Sequence, residues 1–255
     1  MPRKPRERAA SGYYHVTVRG NGQQTLFEDD SDREAFVAMA RDAFGKTSAR
    51  VVAWCLMGNH AHLLIDDSED ELSQAMGSLC GRFAMRYNHR NGHVGHVFQG
   101  RFGSVPIIDD AQLLAAIRYV HDNPVRAGMC TGPGEYRWSS YHEYAGEPGP
   151  VLSDTTVVLD MLGGPEGFMS FMAQSNPGNY RPSLGHRPTD EEAARFAREL
   201  LDGVSPAEVM GFDKARRDEA LRILHDAGLS LRQIQRMTGI GMFIINKAVN
   251  GDRPL

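Results

Sequence analysis

LMGNHAHLLI, residues 56–65, places two imidazoles one residue apart inside an apolar run. Gly58-Asn59 is a turn signal between RVVAWCLM (50–57) and HAHLLI (60–65), so the stretch reads as a β-hairpin. Along a strand, side chains i and i+2 share a face. His60 and His62 therefore stand side by side. Neutral imidazole is a good ligand for a divalent transition metal. Two protein ligands are too few for a structural zinc site. By itself the pair is a weak signal, since most such pairs are surface residues of a hairpin and only the minority belong to a metal site.

Working outward, GYYHVTVR (12–19) alternates and is rich in aromatic and β-branched residues, which predicts a strand. GNGQQ follows as a loop. Ser31 is the expected cap of a helix, with Glu34 three residues on as a capping box. Phe36, Met39, Ala40 and Phe44 recur at helical spacing. Beyond the hairpin, DDSEDE reads as a solvated loop whose last acids favour a helix start through its dipole. That helix is expected from about Glu69 to Asn91. GRFGSVPII (100–108) predicts a loop and then a strand. Asp109 or Asp110 caps a further helix, DAQLLAAIRYVHDN, expected to stop at Pro124. The order strand, helix, hairpin, helix, strand, helix suits an α+β domain, a ferredoxin-like antiparallel sheet with helices on one face.

The 255 residues suffice for one large domain or two small ones. With 41% hydrophobic and 24% charged residues the composition is that of a globular protein with a real core. A formal net charge of −4 excludes a polycation, so any nucleic-acid contact has to come from a local patch. Cys55, Cys80 and Cys130 are odd in number and form no CxxC pair, which points to reduced thiols and a cytoplasmic setting. The basic start MPRKPRERAASG lacks an apolar segment and reads as an arm, not a signal peptide. No stretch approaches the length of a membrane span.

Three organisational regions follow. Residues 1–146 form the α+β domain. GEPGPV, GGPEG, NPGNYRPS and GHRPTD make 147–188 a Gly/Pro-rich linker region with a little helix inside it. Residues 189–255 read as a small all-helical domain. Within it, LSLRQIQRMTGIGMFIINKAVN (229–250) resembles a helix-turn-helix, with Ser230 as a cap and Ile234, Ile240 and Ile245 as packing positions. Asn246 and Lys247 are its candidate DNA contacts. MFII in the second helix, where polar residues would be expected, suits a plain helical bundle equally.

Two more stretches carry chemistry. In IRYVHDNPVRAG (117–128), Tyr119 and Asn123 are four apart and share a helical face. A phenol can act as a nucleophile and an amide oxygen as a metal ligand. The bland alternatives are core-edge packing and a helix stop. GRFAMRYNHRNGHVGHVFQGRF (81–102) holds Arg82, Arg86, Arg90 and Arg101 without one acid, interleaved with aromatics that include Tyr87. Arginine neutralises phosphate and aromatics stack on unpaired bases, so this suits a single-strand binding surface. A solvated basic helix face over ordinary core aromatics suits the same residues.

LMGNHAHLLI, GHVFQGRF and RYVHDNPVRAG, with YHVTVRGNGQQTLFEDDSDRE before them and YRWSSYHEYAG (136–146) after, stand in the order and spacing of a known family. The chain resembles the single-tyrosine HUH transposases, and within them the REP-associated tyrosine transposases, over about residues 10–146. The resemblance implies a ferredoxin-like sheet with His60 and His62 as the HUH pair, Ala61 replacing the usual bulky middle residue. It implies Tyr119 as nucleophile and Asn123 as third ligand of Mg²⁺ or Mn²⁺. The implied reaction is nicking and joining of single-stranded or hairpin-forming DNA through a 5′-phosphotyrosine. Gly58 departs from the family, which typically has proline there. The implied partner is DNA, the implied location the cytoplasm, at the nucleoid when DNA is bound; monomer and homodimer both stay open. Two rivals remain: a catalytically silent DNA-binding regulator on the same fold, and a metal-dependent hydrolase of a small molecule.

Overall fold

The alternation in YYHVTVR becomes β1 (Tyr13–Arg19), with Tyr14, Val16 and Val18 buried on one side. A computed structural model describes residues 8–147, 151–174, 180, 193–194, 197–198, 200–201, 203–226 and 229–250. Its contacts divide the chain into two units, Met1–Gly185 and His186–Leu255. In the first, the hairpin forms as read: β2 (Arg50–Leu56) and β3 (His60–Asp66), closed by a Met57 N–H donating to the His60 carbonyl at 2.8 Å. With β4 (Gly103–Pro106) they build a four-stranded sheet of order β2-β3-β1-β4, each neighbouring pair antiparallel. That is the ferredoxin-like order, and it makes β3 a central strand.

A central strand is buried on both faces, and HAHLLI has apolar residues at both parities, so both faces need cover. Helices α1 (Asp30–Phe44) and α2 (Leu72–Asn91) cover one, where Phe36 and Phe83 pack with Val16, Trp54, Leu63 and Ile65. Helix α3 (Asp110–Arg126) covers the other, where Leu113, Ile117 and Val120 pack with Ala53, Cys55 and Leu64. The expectation of helices on one face thus holds for α1 and α2 and is corrected for α3.

The helix ends differ from their expected positions for identifiable reasons. Asp29, not Ser31, caps α1: its backbone is extended and its carboxylate accepts the Asp32 N–H at 3.2 Å. Helix α2 begins at Leu72, beyond the expected Glu69, because Asp70 adopts a left-handed φ of 64° and the buried Asp67 carboxylate accepts the N–H groups of Glu71 and Leu72. Asp109 caps α3, and Pro124 sits inside its last turn instead of ending it. The stop comes at Gly128, with φ of 69°, where Met129 N–H reaches the Pro124 carbonyl and Gly128 N–H the Val125 carbonyl, a Schellman closure.

Residues 147–188, expected as a linker, contain α5 (Thr156–Leu162) and α6 (Pro165–Ala173), which follow the short α4 (Tyr141–Tyr144). Val158, Phe168 and Met172 are buried in the α3-side core, and Phe168 stacks on Tyr144 at 4.7 Å between ring centres. Arg118 of α3 donates to the Phe171 carbonyl and lies over that ring. The Gly/Pro content there marks turns between packed helices. Most of 175–188, and the expected boundary at 188–189, lie outside the described residues, as do residues 1–7 of the N-terminal arm.

In the second unit, α7 (Lys214–Asp226), α8 (Leu231–Thr238) and α9 (Met242–Asn250) surround a small core that includes Ile234, Ile240 and Ile245. Ser230 and Gln233 form a reciprocal capping box, and Gly239 turns the chain with φ of 72°. Two helices joined by this turn thus occupy the stretch 229–250. Among the described residues no helix is long and apolar enough to cross a membrane.

Candidate functional site

The strand register places the histidines. His62 lies opposite Thr17 of β1 and Cys55 of β2, and His60 lies opposite Arg19. Both point to the α3 face, the face shared with His15 and Thr17. The His60 and His62 rings are 5.0 Å apart, nearly perpendicular. Tyr119 on α3 brings its ring to 5.6 Å from His62 and 5.6 Å from His15. The apolar stripe Leu113, Ile117 and Val120 seats α3 on the sheet, and that seating puts Tyr119 over the histidines.

Hydrogen bonds orient the three candidate ligands, His60, His62 and Asn123. His60 Nδ1 is 2.7 Å from Asn59 Oδ1. His62 Nδ1 is 2.8 Å from His15 Nε2 and 3.2 Å from Thr17 Oγ1. A metal bond from either ring would therefore use Nε2. Asn123 Nδ2 donates to the Tyr119 carbonyl at 2.8 Å, which turns the amide so that Oδ1 is the atom for a ligand. Two imidazole nitrogens and one amide oxygen suit a divalent transition ion better than Mg²⁺, which prefers oxygen. Among the described residues no three His, Cys, Asp or Glu side chains converge as a metal-binding group. Any ion here would rest on the histidine pair and weaker donors.

Burial governs the charge state. His62 is 3% exposed, and desolvation, then the neighbouring His60, His15 and Arg19, pushes its pKa well below the ordinary value. Burial brings His15 down to about 3. Both are neutral at physiological pH, the form that binds metals.

The basic stretch is placed elsewhere. Arg82, Arg86, Tyr87 and Arg90 lie on α2, on the opposite side of the sheet, and tie α2 to α1 and the loop before it. Arg82 donates to Asp42, and Arg86 to Ser31 Oγ at 2.9 Å. Arg90 donates to Asp32 at 2.6 Å and to Asp29, holding the Asp29 carboxyl down to about 2. Tyr87 is buried and donates to the Thr25 carbonyl at 3.0 Å. Each of these four side chains thus has a partner within the fold: Asp42, Ser31, Asp29 and Asp32 take up the guanidinium groups, and the Tyr87 hydroxyl serves packing. Arg101 is exposed in the loop before β4. Asn246 and Lys247 lie on α9 in the second unit.

Four residues gather here without a role read from the sequence: His15, Thr17, Arg126 and Tyr180. The exposed Arg126 holds its guanidinium 5.4 Å from the centre of the Tyr119 ring. It follows Tyr119 by seven positions on one helical face, a legible signal. His15 and Thr17 were legible as a polar parity within β1. Tyr180 stacks on His15 at 5.8 Å between ring centres, in a stretch with no periodicity to mark it.

Residues 9–123 match the model of a family described as IS200-like transposases. This segment of the chain is thus similar to IS200-like transposases, in agreement with the resemblance read from its motifs. It is also similar to a solved structure described as a REP-associated tyrosine transposase bound to a REP hairpin. The similarity has 16% sequence identity and a TM-score of 0.49, covering 60% of this chain and 94% of that one. No curated protein matches.

Proposed function

We propose that this protein nicks and rejoins single-stranded or hairpin-forming DNA through a covalent 5′-phosphotyrosine at Tyr119. The family match supports a transposase-type activity on DNA. The observation that carries the finer reading is the seating of Tyr119 against His62, on the sheet face where His60 and His62 stand together.

In this reading the Tyr119 oxygen attacks phosphorus in line. The new P–O bond to the phenol forms as the bond to the 3′-oxygen breaks. The phenol loses its proton and the departing 3′-oxygen gains one. The phosphodiester-level energy stays in the phosphotyrosine, so a 3′-hydroxyl can reverse the step onto another strand. His60, His62 and Asn123 would hold a divalent ion, Mg²⁺ or Mn²⁺, whose chemistry is to polarise the scissile phosphate. Arg126 contributes a fixed positive charge beside the phenol, suited to the phosphate. Arg101, Asn246 and Lys247 are the remaining candidates for contact with DNA outside the reacting centre. Cytoplasmic residence is the setting this reading requires. A small-molecule hydrolase would need a third strong ligand, and among the described residues none joins the histidines.

The test is a covalent-adduct assay on labelled hairpin DNA from the flanks of the gene, with Mn²⁺. The wild-type chain should give a labelled protein band on a denaturing gel. Tyr119→Phe should lose it by at least a hundredfold while still binding the DNA. Cleavage without an adduct would assign the chemistry to water. Binding without cleavage would leave a DNA-binding regulator.

A further inference from the structure

His15, buried in the sheet, has two ring nitrogens, and both are engaged. Nε2 lies 2.8 Å from His62 Nδ1, and Nδ1 lies 3.0 Å from the Tyr180 hydroxyl. The three side chains form one line from Tyr180 through His15 to His62. Tyr180 also packs its ring against Tyr119 at 5.7 Å between centres. It lies beyond residues 9–123, the segment shared with the family.

A buried neutral imidazole carries one proton for two nitrogens, so the line admits two self-consistent arrangements. In one, Tyr180 donates to His15 Nδ1, His15 Nε2 donates to His62 Nδ1, and the His62 proton sits on Nε2. That nitrogen then cannot hold a cation. In the other, His62 Nδ1 donates to His15 Nε2, and His15 Nδ1 donates to the Tyr180 oxygen. His62 Nε2 is then left with its lone pair. Thr17 Oγ1, 3.2 Å from His62 Nδ1, can accept a share of the same proton or donate in its place. The tautomer of His62 is thus coupled to a hydroxyl two residues away along a chain of hydrogen bonds.

We propose that His15 and Tyr180 are positioning residues which lock His62 in its Nδ1–H tautomer and so set its affinity for a divalent cation at Nε2. Tyr180 makes the region after the family-matched segment a working part of the site. The cation half of this inference rests on the metal reading above; the tautomer half does not. Groups that orient a metal-binding histidine in this way typically change affinity by about 10–100-fold when removed.

The experiment uses the full chain, labelled with ¹⁵N-histidine, and two readouts. Long-range ¹H–¹⁵N spectra of the metal-free protein report which nitrogen of His62 is protonated. Mn²⁺ affinity is read from the free-ion electron paramagnetic resonance signal. In the wild type His62 should be protonated at Nδ1. His15→Leu should mix its tautomers and weaken Mn²⁺ binding about tenfold or more. His15→Gln, which restores an acceptor, should recover most of both. Tyr180→Phe should weaken Mn²⁺ binding about tenfold with an unchanged circular dichroism spectrum. A wild-type His62 protonated at Nε2, or Mn²⁺ binding indifferent to Tyr180→Phe, overturns the proposal. Mn²⁺ binding indifferent to His62→Ala overturns the metal reading and the cation half with it, while the spectra still decide the tautomer half.

Discussion

His121 shows what burial does to a titratable group away from the candidate site. It is fully buried against Tyr144 and Phe168, with Nε2 2.8 Å from Ser140 Oγ. Desolvation lowers its pKa from 6.5 to about 3. The unfolded chain therefore binds a proton on this ring below about pH 6.5 and the folded chain does not, so its contribution is present above that pH and is lost as the pH falls toward 3. Between pH 7.5 and pH 5 the loss should be about 2 kcal/mol for this ring alone. Urea unfolding at the two pH values should show it, and His121→Gln should flatten the dependence by that amount. Also at this scale, His60 and His62 were legible because i and i+2 share a strand face, and Tyr119 and Asn123 because i and i+4 share a helical one. The partnership of His15 with His62 was not, because it depends on the β1–β3 register, which links residues far apart in the chain.

At the scale of elements, charge in a sequence does not name its partner. The arginines of α2 looked available for phosphate because their own stretch has no acids; the acids sit on α1 and at its cap. Asp32 is 1% exposed, so Arg90 is the counter-charge of a buried carboxylate. Arg90→Ala should destabilise the fold by about 2 kcal/mol, seen as a lowered urea midpoint, and leave hairpin-DNA affinity within about twofold. A loss of affinity without loss of stability would return Arg90 to the DNA surface. The strands were the most legible elements, since period-2 patterning is local. Helix ends were less so, because Asp29, Asp67 and Gly128 each compete with equally plausible neighbours, and only the path of the chain decides which reaches the open N–H or carbonyl groups.

At the scale of the molecule, the first unit extends past the family-matched segment. Phe168 of α6 is fully buried beside Tyr144 and the α3 residues that seat Tyr119. Phe168→Ala should cost about 3–5 kcal/mol in urea unfolding and should lower adduct formation in parallel, since α3 loses its outer support. A cost below about 1 kcal/mol would make 151–174 an appendage. This packing escaped the sequence reading because Gly and Pro dominate the region's composition and two short helices offer too few turns for a period to emerge.

The turn between β2 and β3 spans only Gly58 and Asn59, and side chains beyond it alternate between two differently built faces. Sliding β3 by one position against its neighbours would exchange the contents of those faces, swinging both imidazoles toward Phe83 and sending Leu63 and Ile65 toward the phenol. A slip of two positions would preserve the parity. A longer turn is therefore compatible with the chemistry only where the turn itself or a bulge absorbs the added residue and leaves the β2–β3 register in place.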